Sequence, residues 1–110
     1  MEDSGGGIGN TTSTFNVTNV TVSGNSARTG GGIINHFDGT LTVTNSTITN
    51  NSATNYGGGI AGLVGGGRTR ARNTIIANNT AANSGPDFAG DLFSLGYNLI
   101  KNASGMSILG

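Results

Sequence analysis

Cysteine is absent from this 110-residue chain. That excludes disulfides and any metal site built on thiolates, though not an exported location. Histidine occurs once, as His36, so no site needing two imidazoles can form within the chain. Tryptophan is absent, aromatics make up 5% and proline occurs once. Only 9% of residues are charged, five basic against five acidic, so the net charge is zero. This balance argues against a nucleic-acid binder, which needs a broad basic field and stacking aromatics. No apolar run approaches 18 residues, so no helical membrane span and no direct membrane insertion is expected. No basic segment followed by an apolar one opens the chain, so no signal peptide is read.

What is present is equally one-sided. Gly, Asn, Thr and Ser make up 61 of the 110 residues. Gly does not recur at every third position, which excludes collagen. With 34% hydrophobic residues and almost no charge, the chain also lacks the profile of a charge-rich disordered segment.

An internal repeat decides the fold class. Gly5-Gly6-Gly7-Ile8 returns as Gly30-Gly31-Gly32-Ile33 and as Gly57-Gly58-Gly59-Ile60. A second register runs Asn19–Ala27, Asn45–Ala53 and Asn73–Ala81. Both give a unit of roughly 26 residues. Within each unit apolar residues alternate with polar ones, as in Phe15 and Val17 or Leu41 and Val43, over short segments ending at Asn or Gly. Gly, Asn and Thr are poor helix formers, and period two is a strand signal. The expected fold is all-β: a parallel β-helix, or β-solenoid, of about four coils with three short strands per coil. Residues 1–84 are read as three regular coils. Residues 85–110 are read as a degenerate fourth coil, whose large side chains from Phe88 to Leu109 cap the C-terminal end.

Stacking at this period places residues in columns. The inward ones are Ile8/Ile33/Ile60, Phe15/Leu41/Thr69, Val17/Val43/Ala71 and Val22/Ile48/Ile76. A tighter inward row is Val20/Ser46/Thr74. Two Asn columns, Asn19/Asn45/Asn73 and Asn25/Asn51/Asn79, are expected to be structural turns. Asn tolerates positive φ, and its amide can bond to the coils above and below. The Gly triplets take the remaining corner. Gly65-Gly66-Gly67-Arg68 lacks the ending of a phosphate-binding loop, and no helix follows it.

Few residues suggest chemistry. His36, Phe37 and Asp38 lie in a loop with no second carboxylate expected beside them, so no catalytic residue is assigned. The acids do not recur at the repeat period, so no metal site and no cofactor is expected. Arg68, Arg70 and Arg72 alternate with Thr69 and Ala71. All three should point outward from one strand, beside Thr14/Thr40, Asn16/Thr42 and Thr18/Thr44. Such a stripe can grip sulfate, phosphate or uronate groups of an acidic polysaccharide. Thr21, Ser23, Thr47 and Thr49 form a second outward array. Regular Thr arrays of this kind resemble ice-binding surfaces, but Ile75 and Ala77 interrupt it.

The runs Gly-Gly-Gly-Ile, Asn45–Ala53 and Asn73–Thr80 resemble the right-handed parallel β-helix repeats of large bacterial surface and secreted proteins. So do the later segments Ser84-Gly85-Pro86-Asp87 and Ser94–Ile100. The Gly-Gly-Gly-Ile element also resembles the repeat of chlamydial polymorphic outer-membrane proteins. These families include adhesins, anchored surface proteins and relatives of polysaccharide lyases. The resemblance implies right-handed coiling and an extracellular or cell-surface location within a larger protein. It also implies a structural, adhesin-like role. Polysaccharide binding or processing is the first alternative and an ice-binding surface the second. An uncapped coil exposes unpaired strand edges. Only Met1 to Ser4 precede the first coil, so end-to-end self-association is expected there.

Overall fold

The computed structural model describes residues 6–10, 13–36, 38–62 and 68–109. Among them every regular element is a strand and every strand pairing is parallel. The first coil contains β1 (Ile8–Asn10), β2 (Thr14–Thr18), β3 (Thr21–Ser23) and β4 (Ser26–Thr29). The second contains β5 (Ile33–Asn35), β6 (Thr40–Thr44), β7 (Thr47–Thr49) and β8 (Ser52–Tyr56). The third contains β9 (Ile60–Gly62), β10 (Arg68–Arg72), β11 (Ile75–Ala77) and β12 (Thr80–Ala81). Then come β13 (Phe88–Ser94), β14 (Leu99–Ile100) and β15 (Met106–Leu109).

The strands stack into three sheets, making a β-solenoid of about three turns plus a shorter fourth pass. One sheet has the order β14-β11-β7-β3 and another β12-β8-β4. The third is built from two strand columns, β1-β5-β9 and β2-β6-β10, which β13 joins. This joining has a simple cause. Phe88 pairs with Ile60, and Phe93 pairs with Arg70, along one continuous strand. Between Gly62 and Arg70 the third coil has seven residues, where β13 has two between their partners Gly90 and Phe93. The fourth pass is shorter by that difference, and Leu92 is fully buried in the core there.

The columns follow the repeat. Ile8, Ile33, Ile60 and Phe88 share one register. Leu41 stacks on Thr69, Val43 on Ala71, and Val22, Ile48, Ile76 and Ile100 form another row. The apolar members at the centre of the stack are fully buried. No coil closes such a stripe alone, because each contributes only one layer of side chains.

Two inward residues differ from expectation. Phe15 pairs with the fully buried Leu41, yet it is 40% exposed. Val20 is 40% exposed, while Ser46 and Thr74 of the same row are buried. Both lie on the first coil, where no described coil stacks above them. The position is right, but burial needs a neighbour on each side.

The turn columns also divide differently. Asn19, Asn45 and Asn73 have φ of 57°, 51° and 50°, the left-handed conformation expected of them. In the second set the left-handed residues stand one place earlier, at Gly24, Asn50 and Asn78. Asn25, Asn51 and Asn79 follow the bend and turn their amides inward.

Candidate functional site

Two features hold the polar chemistry of this chain: an arginine-bearing outer face and a buried ladder of amides. Strand β10 alternates strictly, with Thr69 and Ala71 buried and Arg68 and Arg72 exposed. Arg70, between them, is half-buried. Each guanidinium heads the column expected from the repeat: Arg68 beside Thr40 and Thr14, Arg70 beside Thr42 and Asn16, Arg72 beside Thr44 and Thr18. Alternate residues on a strand lie roughly 6.7 Å apart, and neighbouring strands roughly 4.8 Å. The stripe is thus three cations along one strand on a threonine-lined floor. Arg68 lies over the Phe93 ring, with Cζ 5.3 Å from the ring centroid, a cation–π contact. Neither Arg70 nor Arg72 forms an ion pair with a described carboxylate. Phe93, read in the sequence as one of the large side chains of the C-terminal cap, pairs with Arg70.

The second outward array runs Thr21/Thr47/Ile75/Leu99 and Ser23/Thr49/Ala77. It turns apolar down the stack: Ile75 and Leu99 are exposed. His36 is half-buried, and its N–H donates to the Asn10 carbonyl at 2.8 Å. Phe37 and Gly65-Gly66-Gly67, both weighed in the sequence, lie outside the described residues. Among the described residues no group of three His, Asp or Glu side chains is placed to hold a metal ion.

The ladder is the feature that sequence reasoning caught only in part. Asn51 is 1% exposed and uses all of its amide. Its Nδ2 donates to the Val22 and Thr49 carbonyls and to Asn79 Oδ1, at 2.9, 3.0 and 3.0 Å. Its Oδ1 accepts from the N–H and Nδ2 of Asn25, at 3.0 and 3.1 Å. Asn79 repeats this pattern, donating to the Ile48 and Ala77 carbonyls. A second ladder, not expected from the sequence, links the ends of β1 and β5 to β10. Asn10 Nδ2 donates to Asn35 Oδ1 at 2.9 Å, and Asn35 Nδ2 donates to Thr69 Oγ1 at 3.1 Å.

The last rung is Asp87, 1% exposed. Its Oδ1 accepts the Asn79 N–H and Nδ2 at 3.0 and 2.9 Å, and its Oδ2 accepts the Asn102 N–H at 2.8 Å. The reason lies in the corner. Gly85-Pro86-Asp87 sits where the third coil has Gly57-Gly58-Gly59. A Cβ on Gly59 would meet Asn79 Nδ2 at 2.8 Å, so a regular coil admits no side chain there. In the fourth pass Ile100 pairs with Ile76, which puts Ala103 in the Asn column. The space vacated by the missing amide takes the Asp87 carboxylate. One signal was available in the sequence: Asp replaces the third Gly in the same coil in which Ala replaces Asn. Beside Asp87 lies an open recess of about 270 Å³, bounded by Asn78, Asn79, Lys101 and Asn102. Lys101 Nζ donates to Asn78 Oδ1 there, at 2.8 Å.

No protein-family model, no curated protein and no solved structure matches this chain.

Proposed function

We propose that this chain is a non-enzymatic structural segment of a bacterial cell-surface or secreted protein. It is a stiff β-solenoid that presents outward rows of side chains. One observation carries this reading: the buried polar side chains are committed to holding the wall. Asn10, Asn35, Asn51, Asn79 and Asp87 all spend their hydrogen bonds on the neighbouring coil or the local backbone. Such groups stabilise and specify a stack, and they are unavailable to a substrate. The surface or secreted setting follows the likeness of the repeats.

Contacts between molecules in this reading are weak and form through the first coil, where Phe15 and Val20 leave an apolar edge. Light scattering over a tenfold concentration range should show a mass that rises above one chain. A constant single-chain mass removes self-association. Incubation with acidic polysaccharides should release no unsaturated product, and release of one removes the non-enzymatic reading.

A second reading, polysaccharide binding, is favoured by the stripe of Arg68, Arg70 and Arg72 on its flat threonine floor. Guanidinium matches sulfate and carboxylate in a bidentate manner. A sulfated polysaccharide should bind in low salt, and Arg68→Gln/Arg70→Gln/Arg72→Gln should weaken that binding at least about tenfold, with salt doing the same to the parent chain. Equal binding by the triple variant disposes of the stripe as the site.

A further inference from the structure

The fourth pass alters the corner at the end of the arginine stripe. In the three coils before it, Asn19, Asn45 and Asn73 hold that corner in the left-handed region. Arg72 and Asn73 separate Ala71 from Thr74, whereas Leu95, Gly96 and Tyr97 separate Ser94 from Asn98. The pairs Ala71–Ser94 and Ile75–Leu99 fix this alignment, so the corner gains one residue and Tyr97 takes the Asn place. Its φ is 60°, a conformation that suits Asn or Gly and strains a bulky aromatic residue. Packing does not offset that strain, because Tyr97 is 92% exposed.

The turn beneath the ring is braced. Asn98 Nδ2 donates to the Ala71 carbonyl and to Ser94 Oγ, at 2.8 and 3.0 Å, and its Oδ1 accepts the Thr74 N–H at 3.0 Å. The Gly96 carbonyl accepts the Asn73 N–H at 3.1 Å. A ring held out on a fixed turn loses little freedom when a ligand stacks on it. Backbone strain at an exposed residue points to a site rather than to the core. The surroundings say what would stack there. Phe93 stands beside Arg70, and Leu95 follows it beside Arg72, its N–H donating to the Ala71 carbonyl at 2.8 Å. Leu95 is exposed. Arg68 is turned onto Phe93, which leaves Arg70 and Arg72, the two guanidiniums nearer the corner, for an anion.

We propose that Tyr97 is the stacking platform of a binding site for an acidic polysaccharide, whose carboxylate or sulfate groups are taken by Arg72 and Arg70. The proposal rests on the polysaccharide-binding reading and adds a ring and a direction to it. A sugar ring has an apolar C–H face and a polar edge. The face suits Tyr97 and Leu95, and an anionic edge suits the guanidiniums. The polymer then runs from the corner along β10. A single-stranded nucleic acid asks for several stacking rings and a basic field. Among the described residues Tyr97 is the one exposed ring on this face, and the net charge is zero.

The test titrates alginate and dextran sulfate, with dextran as the neutral control. Tyr97→Asn restores the residue of the other coils, so the thermal midpoint should not fall, yet binding should weaken by about tenfold. Tyr97→Phe should bind as the parent does, since the ring is used and not its hydroxyl. Stacking is not screened by ions, so the loss in Tyr97→Asn should be the same in low and high salt. The loss in Arg72→Gln should shrink as salt rises. Arg68→Gln should cost least of the three arginine variants. Parental binding by Tyr97→Asn, with binding lost in the triple arginine variant, overturns the platform and leaves the arginine reading standing. No binding of either polymer by the parent removes both. A lower midpoint for Tyr97→Asn means that the ring serves the fold, and overturns the proposal. Tighter binding of polythymidylate than of either polysaccharide, weakened equally in Tyr97→Asn, makes nucleic acid the ligand and overturns it as well.

Discussion

Replacing Asn51 by Ala should lower the stability of this protein by about 3–5 kcal/mol and its melting temperature by more than about 10 °C. The amide sits in the middle of the longer ladder and is 1% exposed. Its removal strips a donor from two buried carbonyls, Val22 and Thr49, and from Asn79 Oδ1. The Asn25 N–H and Nδ2 lose their acceptor as well. A single net hydrogen bond is worth only about 1 kcal/mol, but leaving buried partners unpaired costs about 1–3 kcal/mol for each group. Several groups are stranded here at once, so the sum is large. Asn25→Ala is the internal control. Its amide lies on the first coil and, among the described residues, donates to the Ser23 carbonyl and Asn51 Oδ1. Its loss should cost about 1 kcal/mol. Urea unfolding of both variants beside the parent decides the matter. Equal and small losses would mean that the ladder reports the register without holding it.

An added methyl group at Gly58 should prevent folding or cost at least about 4 kcal/mol. A Cβ there would stand 2.1 Å from the Thr80 carbonyl oxygen and 2.5 Å from that of Pro86. Both are backbone atoms in neighbouring segments, so relief requires moving two coils rather than turning a side chain. A domain of this size has about 5–15 kcal/mol in total, so that loss is close to all of it. Gly24 makes the contrast. It has φ of 72° but open space around its Cβ position. Asn50 and Asn78 hold the same place in the next coils, at φ of 57° and 62°. Gly24→Asn should therefore change stability by less than about 0.5 kcal/mol. Circular dichroism with thermal melts reads both variants. A folded Gly58→Ala with a parental midpoint would show that the corner can open.

These contrasts mark how far the sequence alone could be read. Period and phase were legible, because a repeat carries its own register. With the Gly-Ile and Asn registers both aligned, the inward rows follow, and the structure pairs them so. The outward arginine stripe followed from the same arithmetic, since β10 keeps strict alternation against β6. The left-handed turns at Asn19, Asn45 and Asn73 followed from the backbone tolerance of Asn.

Other features depend on what stands next door, and no residue type encodes its neighbour. Gly24-Asn25, Asn50-Asn51 and Asn78-Asn79 each offer two residues for one bend. Local propensity favours either, and the choice falls to whichever amide finds carbonyls from the coil above. Asp87 reads in sequence as one of a few scattered acids. It becomes the end of a ladder because Ile100 pairs with Ile76, which brings Ala103 to the Asn column and leaves space at the corner. Phe15 belongs to the core by pattern and to the surface by position, for want of a coil on its outer side. The class of fold, the columns and the faces are written in the repeat, because stacking like units carries a local pattern at fixed spacing. Which residue of each Asn pair turns its amide inward, and which inward side chains are buried, was settled by the fold, because hydrogen bonding and burial are properties of contacts between coils.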